Sequence, residues 1–344
     1  MRELPAARGP ITESLLETLA APSHGADWSG LAPPRPSGTA LADEDLQLAL
    51  YCCYELHYGG LPGVDERWEW NPSLLALRAK LEEVFERALR DAVGDPGESV
   101  AAAEMDLALR AIADADDGPS LSRFVERHAT VEQVEEFAIH RSAYQLKEAD
   151  PHSWALPRLS GPPKAALVEI QADEYGGGRA DRIHATMFAR SMEALGLDSE
   201  PGAYLDAIPG VTLATVNLMS LLGLHRRWRG AIVGHLALFE MTSSIPNRRY
   251  ANGLRRLGFG EQATAFFNEH VEADAVHENI AAVDLAGGLA RQDPRLAPDI
   301  LWGARALALL DARWAAAVLD AWRDGRGSLL TAAPEAIASG AAGA

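Results

Sequence analysis

The run His270-Val-Glu-Ala-Asp274-Ala-Val-His277 places two imidazoles and a carboxylate at i, i+4 and i+7. On an α-helix these offsets miss whole turns by only about 40° and 20°, so the three side chains share one face. Two neutral imidazoles with a carboxylate form the donor set of non-heme iron, with zinc as the usual competitor. A triplet alone also suits a polar stripe on a solvated helix. If it is half of a metal site, inward side chains on facing helices must complete it.

The two Glu-x-x-His motifs of ferritin-like di-iron proteins are absent. In their place stands Glu174-Tyr-Gly-Gly-Gly178-Arg-Ala-Asp181-Arg-Ile-His184. A straight helix would separate Glu174 from His184 by about 15 Å, whereas paired metal ions sit only ~3.5–4 Å apart. Three glycines weaken a helix by about 3 kcal/mol against alanine, so Gly176–Gly178 predicts a bend or unwound turn that brings the carboxylate toward the imidazole. The competing reading is a plain loop with Glu174 capping or exposed, and Asp181 is a rival ligand. Glu240 lies in the apolar stretch Ile232–Met241, where a buried carboxylate costs several kcal/mol unless a cation offsets it; otherwise it is a helix-surface residue. His140 follows Glu136 by four residues and suits either a ligand pair or a surface contact. His152 reads as a turn residue and Trp154 as core. Arg248 and Arg249 can meet a substrate carboxylate in bidentate fashion or pair with the surplus acids. Tyr144 and Tyr175 stand close to candidate ligands as hydrogen-bond donors.

These residues need a helical frame, and the composition supplies one. Of 344 residues few are aromatic, while Ala, Leu, Arg and Glu abound, which favours helices. No segment combines period-2 alternation with β-branched residues, so no sheet of consequence is expected. Helices are expected at 11–19, 43–57, 72–93, 99–113, 120–128, 131–149, 163–195, 202–222, 229–243, 250–257, 262–288 and 298–324, most of them separated by Pro, Gly or Asn connectors. The turn cluster Asp114–Pro119 suggests a boundary. The division expected is an irregular arm (1–40), an N-terminal helical region (41–118), a main helical unit (119–327) and a disordered tail (328–344). A net charge of −18 argues against nucleic acid or an anionic membrane as partner. The N-terminus lacks an apolar signal core and no run is long enough to span a bilayer, so a cytoplasmic location is expected. Vicinal Cys52 and Cys53 are expected to be reduced and packed.

Taken together, Gln145-Leu-Lys-Glu148-Ala-Asp-Pro-His152, Ala166-Leu-Val-Glu-Ile-Gln-Ala-Asp-Glu174-Tyr-Gly-Gly-Gly178 and the closing His270, Asp274, His277 triplet resemble the heme-oxygenase-like di-iron oxidases and oxygenases, also called iron-containing redox enzymes. The resemblance runs over residues 45–290. It implies an all-α, heme-oxygenase-like helical bundle with an additional N-terminal helical region used in homodimer contacts. It further implies two non-heme iron ions per chain, held by Glu148, Glu174, His184, Glu240, His270, Asp274 and His277, with O2 as cosubstrate and an external electron donor. A ligand at Glu174 typifies the N-oxygenating branch; no cupin segment follows in this sequence, so rearrangement by such a domain is not expected. The implied activity is oxygenation of an amine, guanidine or aminoimidazole nitrogen of a small molecule to an N-hydroxy or nitro product in natural-product biosynthesis. Glu174, Tyr175 and Arg248 are then the residues expected at the chemistry, and His152 is open to a role beside Glu148. The alternatives are a di-iron oxidase performing C–C cleavage or desaturation of an amino or fatty acid, or a protein that binds iron or heme without turnover.

Overall fold

The computed structural model describes residues 4–31, 38–97, 99–115 and 118–330, without the side chains of Glu272, Asp274 and Ala275. Residues 1–3 and 32–37 of the arm and the tail from residue 331 lie outside the described residues. The described residues form fourteen α-helices: α1 (Pro10–Leu19), α2 (Glu44–Glu55), α3 (Pro72–Val93), α4 (Met105–Asp114), α5 (Leu121–Arg127), α6 (Val131–Gln145), α7 (Asp150–Ser153), α8 (Gly161–Glu174), α9 (His184–Ala194), α10 (Gly210–Leu224), α11 (Arg229–Arg256), α12 (Glu261–Asn279), α13 (Gly288–Gln292) and α14 (Ala297–Arg323). Among the described residues there is no strand, so the fold is all-α as expected. No described helix is long and apolar enough to cross a membrane.

Local chemistry sets many of the starts. Asn71 caps α3 by accepting from Ser73 N and Leu74 N, with Pro72 at the first helical position, where its missing N–H costs nothing. Thr130 and Gln133 close a reciprocal capping box at α6. Where the structure departs from the sequence expectation, tertiary packing decides. Helix α6 stops at Gln145, so Glu148 is delivered by a turn rather than a helix. The segment 163–195 divides into α8 and α9, and α10 starts only at Gly210 after a series of turns. Helix α11 runs through Pro246, where a connector was expected. A proline inside a helix costs ~3 kcal/mol. Beyond it, however, Tyr250, Ala251 and Leu254 are buried, and each large apolar side chain contributes ~1.5–3 kcal/mol, so continuity wins. Just before Pro246 the hydroxyls of Thr242 and Ser243 donate to the carbonyls of Leu238 and Glu240.

A single apolar cluster runs from Ile11 on α1 to Trp322 on α14. Helix α11 is its axis and packs against α12 on one side and α14 on the other. The α11–α14 crossing depends on glycine. A Cβ on Gly234 would overlap the Ile300 carbonyl oxygen, and one on Gly303 would overlap that of Ala231. Because backbone blocks both positions, Gly234→Ala and Gly303→Ala are each expected to cost about 3 kcal/mol, the upper end of ordinary overpacking. Calorimetry should show a clear fall in Tm for either; unchanged melting would mean the two helices can part freely.

Candidate metal centre

Five elements converge inside the bundle, and their backbones explain how. The turn after α6 carries Glu148. Its successor, Ala149, has φ 76 and ψ −31 and is the positive-φ residue other than glycine among those described. That conformation costs ~1–3 kcal/mol and persists only where its surroundings over-determine it. Here α8 provides the restraint: Gln171 Nε2 donates to the Ala149 carbonyl (2.9 Å) and to Ser153 Oγ (2.8 Å). One turn on, the Tyr175 hydroxyl donates to Asp150 Oδ1 at 2.7 Å and lies 2.9 Å from Ser153 Oγ. The same inward face of α8 carries Glu174 three residues after Gln171.

After Glu174 the chain reverses through the three glycines, all with positive φ. At Gly176 (φ +74) an added Cβ would lie 2.7 Å from the Arg182 carbonyl carbon and Ile183 N, so the reversal requires glycine there. Arg182 Nη2 ties the turn to Glu269 Oε1 on α12 at 2.6 Å. His184 then opens α9 with its Nδ1 2.9 Å from Glu174 Oε2. The unwound turn expected from the glycines is thus present, and carboxylate and imidazole do meet.

Helix α11 contributes Glu240, and α12 contributes His270 and His277, about 10 Å apart along its axis. After His277 the helix widens into a π-helical segment, Ile280–Gly287. Such segments frequently accompany functional sites. Its Ala281, Ala282, Ala286 and Gly287 are small and buried, and α8 packs along it.

The result is two groups of donor atoms. Glu148, Glu174, His184 and His270 form one, and Glu174, Glu240 and His277 the other; within each, one ligand atom per residue lies within 4.8 Å of every other. Glu174 belongs to both. All six residues are buried. His270 Nε2 lies 3.6 Å from Glu148 Oε2, and His277 Nδ1 lies 3.5 Å from Glu240 Oε2. His270 Nδ1 sits 2.9 Å from the Phe266 carbonyl, which can only accept, so Nδ1 carries the proton and Nε2 faces the group with its lone pair. Glu174 Oε2, His184 Nδ1 and His277 Nδ1 are buried without a hydrogen-bond partner. The two donor groups are arranged so that each could hold a metal ion.

Electrostatics point the same way. A small cavity at the centre is lined by Tyr144, Glu148, Ala149, His152, Gln171, Glu174, Leu236, Phe239, Glu240 and His270, with no lysine or arginine. Burial would raise the Glu174 carboxyl, but His184, His270 and His277 outweigh it and hold it below its ordinary value. Burial likewise opposes protonation of His184, and its pairing with Glu174 prevails, so that its pKa rises. His152 stays neutral, since burial presses it down to about 4, and its Nε2 lies 3.1 Å from His235 Nδ1. Hard carboxylates with imidazoles suit iron, and neither sulfur nor a fixed cation intrudes.

The other residues singled out in the sequence lie as follows. The Tyr175 hydroxyl points to Asp150 and Ser153 rather than the cavity, because a residue adjacent to Glu174 is turned by about 100° around the helix. Arg248 is exposed on α11 and absent from the cavity lining; eight residues beyond Glu240, it sits about 12 Å along the axis on another face. Asp181 is exposed and pairs with Arg179. Buried His140 meets Thr212 and Ser328 hydroxyls at 2.8 and 3.0 Å, away from the site. Arg249 contacts the Ser120 and Ser122 hydroxyls. Cys52 and Cys53 are buried free thiols, and burial pushes Cys53 up to about 12. The Asp274 side chain lies outside the described residues. Sequence reasoning missed Gln171, Asp173 and His235, none of which has a motif to reveal it.

The iron-containing redox enzyme family matches residues 135–312. A nitrosourea synthase of Streptomyces achromogenes subsp. streptozoticus is 31% identical over 137 residues, which make up 40% of this chain and 29% of that relative. The chain therefore matches less than a third of the relative's length.

Two outcomes follow from this geometry. Gly176→Ala should cost about 2 kcal/mol or more through strain and part Glu174 from His184, so Co(II) titration should find fewer than the wild-type equivalents; an unchanged stoichiometry would refute the role of the turn. The second concerns His277. Burial would lower its pKa, but Glu240, then Glu174 and Asp173, push it up to about 9. Metal uptake must displace that proton, so apparent Co(II) affinity should climb with pH until about 9 and then level off. In metal-free protein the raised pKa stabilises the fold fully below the ordinary histidine value of ~6.5, and this contribution is lost as pH rises through about 9. The stability gap between wild type and His277→Gln should narrow over that interval in chemical denaturation.

Proposed function

Because the chain belongs to the iron-containing redox enzyme family, an oxidoreductase family, we propose that its buried cluster holds two iron ions and uses O2 to oxygenate a nitrogen of a small molecule. The observation that carries this reading is the sharing of Glu174 between two donor groups, each sized for one ion. Glu148, His184 and His270 would hold one ion, Glu240 and His277 the other, with Glu174 between them; Asp274 joins the second set by the sequence resemblance. Bound iron would supply the redox chemistry that couples O2 reduction to substrate oxidation.

The chain's own residues do the rest. Three buried glutamates give the cavity a negative field that draws cations, iron first and a nitrogenous substrate after it. Leu236, Phe239 and Tyr144 form an apolar wall that keeps water from the oxidant. The Tyr144 hydroxyl stays protonated, because burial and then the charges of Glu148, Glu174 and Glu240 hold its pKa well above the ordinary value. It can therefore donate a hydrogen bond into the cavity. Neutral His152 offers a second polar contact on the wall facing the glutamates.

An N-hydroxylation balances as amine, O2, two electrons and two protons giving hydroxylamine and water, which requires an external electron donor. A cytoplasmic homodimer completes the proposal. The name of the nitrosourea synthase relative denotes a product with an oxidised nitrogen, which favours nitrogen over carbon as the atom attacked. The test is to supply iron-loaded protein and a chemical reductant with amine, guanidine and aminoimidazole panels under ¹⁸O₂. The expected product gains labelled oxygen on nitrogen, and Glu174→Ala lowers turnover at least 100-fold, as about 3 kcal/mol of lost stabilisation would. Fragment loss or a new double bond without label would replace this reading with carbon oxidation.

A further inference from the structure

Asp173 precedes Glu174 on α8 and faces a different partner. Its side chain is half-exposed, and its Oδ2 lies 3.1 Å from Nε2 of the buried His277. The other ring nitrogen, Nδ1, is buried without a hydrogen-bond partner and lies 3.5 Å from Glu240 Oε2. A neutral imidazole has one N–H and one lone pair, so the partner of one nitrogen decides what the other offers. We propose that Asp173 is a positioning residue: by accepting the Nε2–H of His277 it fixes the tautomer and ring orientation that present the Nδ1 lone pair to the Glu174–Glu240 group.

The inference deepens the two-ion reading and rests on it. It also makes the two positions unequal. His270 is held by the Phe266 carbonyl of its own helix, a restraint that persists as long as the helix does. His277 is held by a side chain from another helix that stands half in water. The two histidines of α12 therefore offer opposite nitrogens, Nε2 from His270 and Nδ1 from His277. They are fixed by restraints of different permanence, and the Glu240–His277 position is the one that a surface substitution can loosen. Carboxylate partners of ligand histidines typically matter by ~10–100-fold in metal affinity.

The tautomer can be read without metal. In protein labelled with ¹⁵N-histidine, at a pH above the titration of His277, long-range proton–nitrogen correlation distinguishes Nε2–H from Nδ1–H, with His277→Gln assigning the signal. Wild type should show Nε2–H and Asp173→Ala a shift toward Nδ1–H. In parallel, Co(II) titration of Asp173→Ala should weaken one of two binding steps by ~10–100-fold and leave the other unchanged, while Asp173→Asn, whose amide oxygen can still accept, should fall between. An Nδ1–H tautomer in wild type, or two unaltered Co(II) steps in Asp173→Ala, would overturn the proposal. Wild-type protein that takes up fewer than two Co(II) ions refutes the two-ion reading instead, and the tautomer then decides the role of Asp173.

Discussion

Three glutamates buried in one cavity without a lysine or arginine among its lining residues are the constraint around which the centre is organised. Removing a carboxylate from water costs several kcal/mol after relaxation. The imidazoles of His184 and His277 recover part of that by ion pairing, as their raised pKa values and the depressed Glu174 show. They cannot recover it fully, because buried ligand-type atoms on Glu174, His184 and His277 still lack hydrogen-bond partners. A cation satisfies charge and lone pairs together. The fold thus holds the anions in a position whose electrostatic cost a bound metal would relieve.

Holding such a cluster requires rigid helices joined by unusual backbone. The supporting elements are ordinary: α11 lies between α12 and α14 with glycine-mediated contact. The departures occur where the clustered carboxylates and imidazoles must be aimed. Ala149 takes a positive φ beside Glu148, three glycines reverse the chain between Glu174 and His184, and a π-helical segment follows His277. Each would weaken an isolated helix. The first two are held by specific contacts, from Gln171 to Ala149 and from Arg182 to Glu269, so strain at these turns is offset by their surroundings.

The cavity sets terms for what can enter. Its lining combines three glutamates with Tyr144, Leu236 and Phe239 around a space close to that of one water molecule. The paired imidazoles of His152 and His235 keep this wall polar yet uncharged, since burial lowers both.

The sequence alone determined the all-α class, because helix-forming composition and the lack of alternating strands need no tertiary information. It also exposed the pair His270 and His277, since spacing within one helix is a local property, and Glu240, since a carboxylate amid Ile232–Met241 stands out. The glycine triplet announced that Glu174 and His184 would approach. Glu148 had no local signal beyond the family resemblance, and it proved to lie on a turn whose shape Gln171 and Tyr175 impose from another helix. Only the tertiary structure decided that Glu174 stands between two groups, that Tyr175 and Arg248 face elsewhere, and that α11 continues through Pro246. In each case the direction a side chain takes depends on what packs against its backbone from distant parts of the chain, which neither propensity nor spacing encodes.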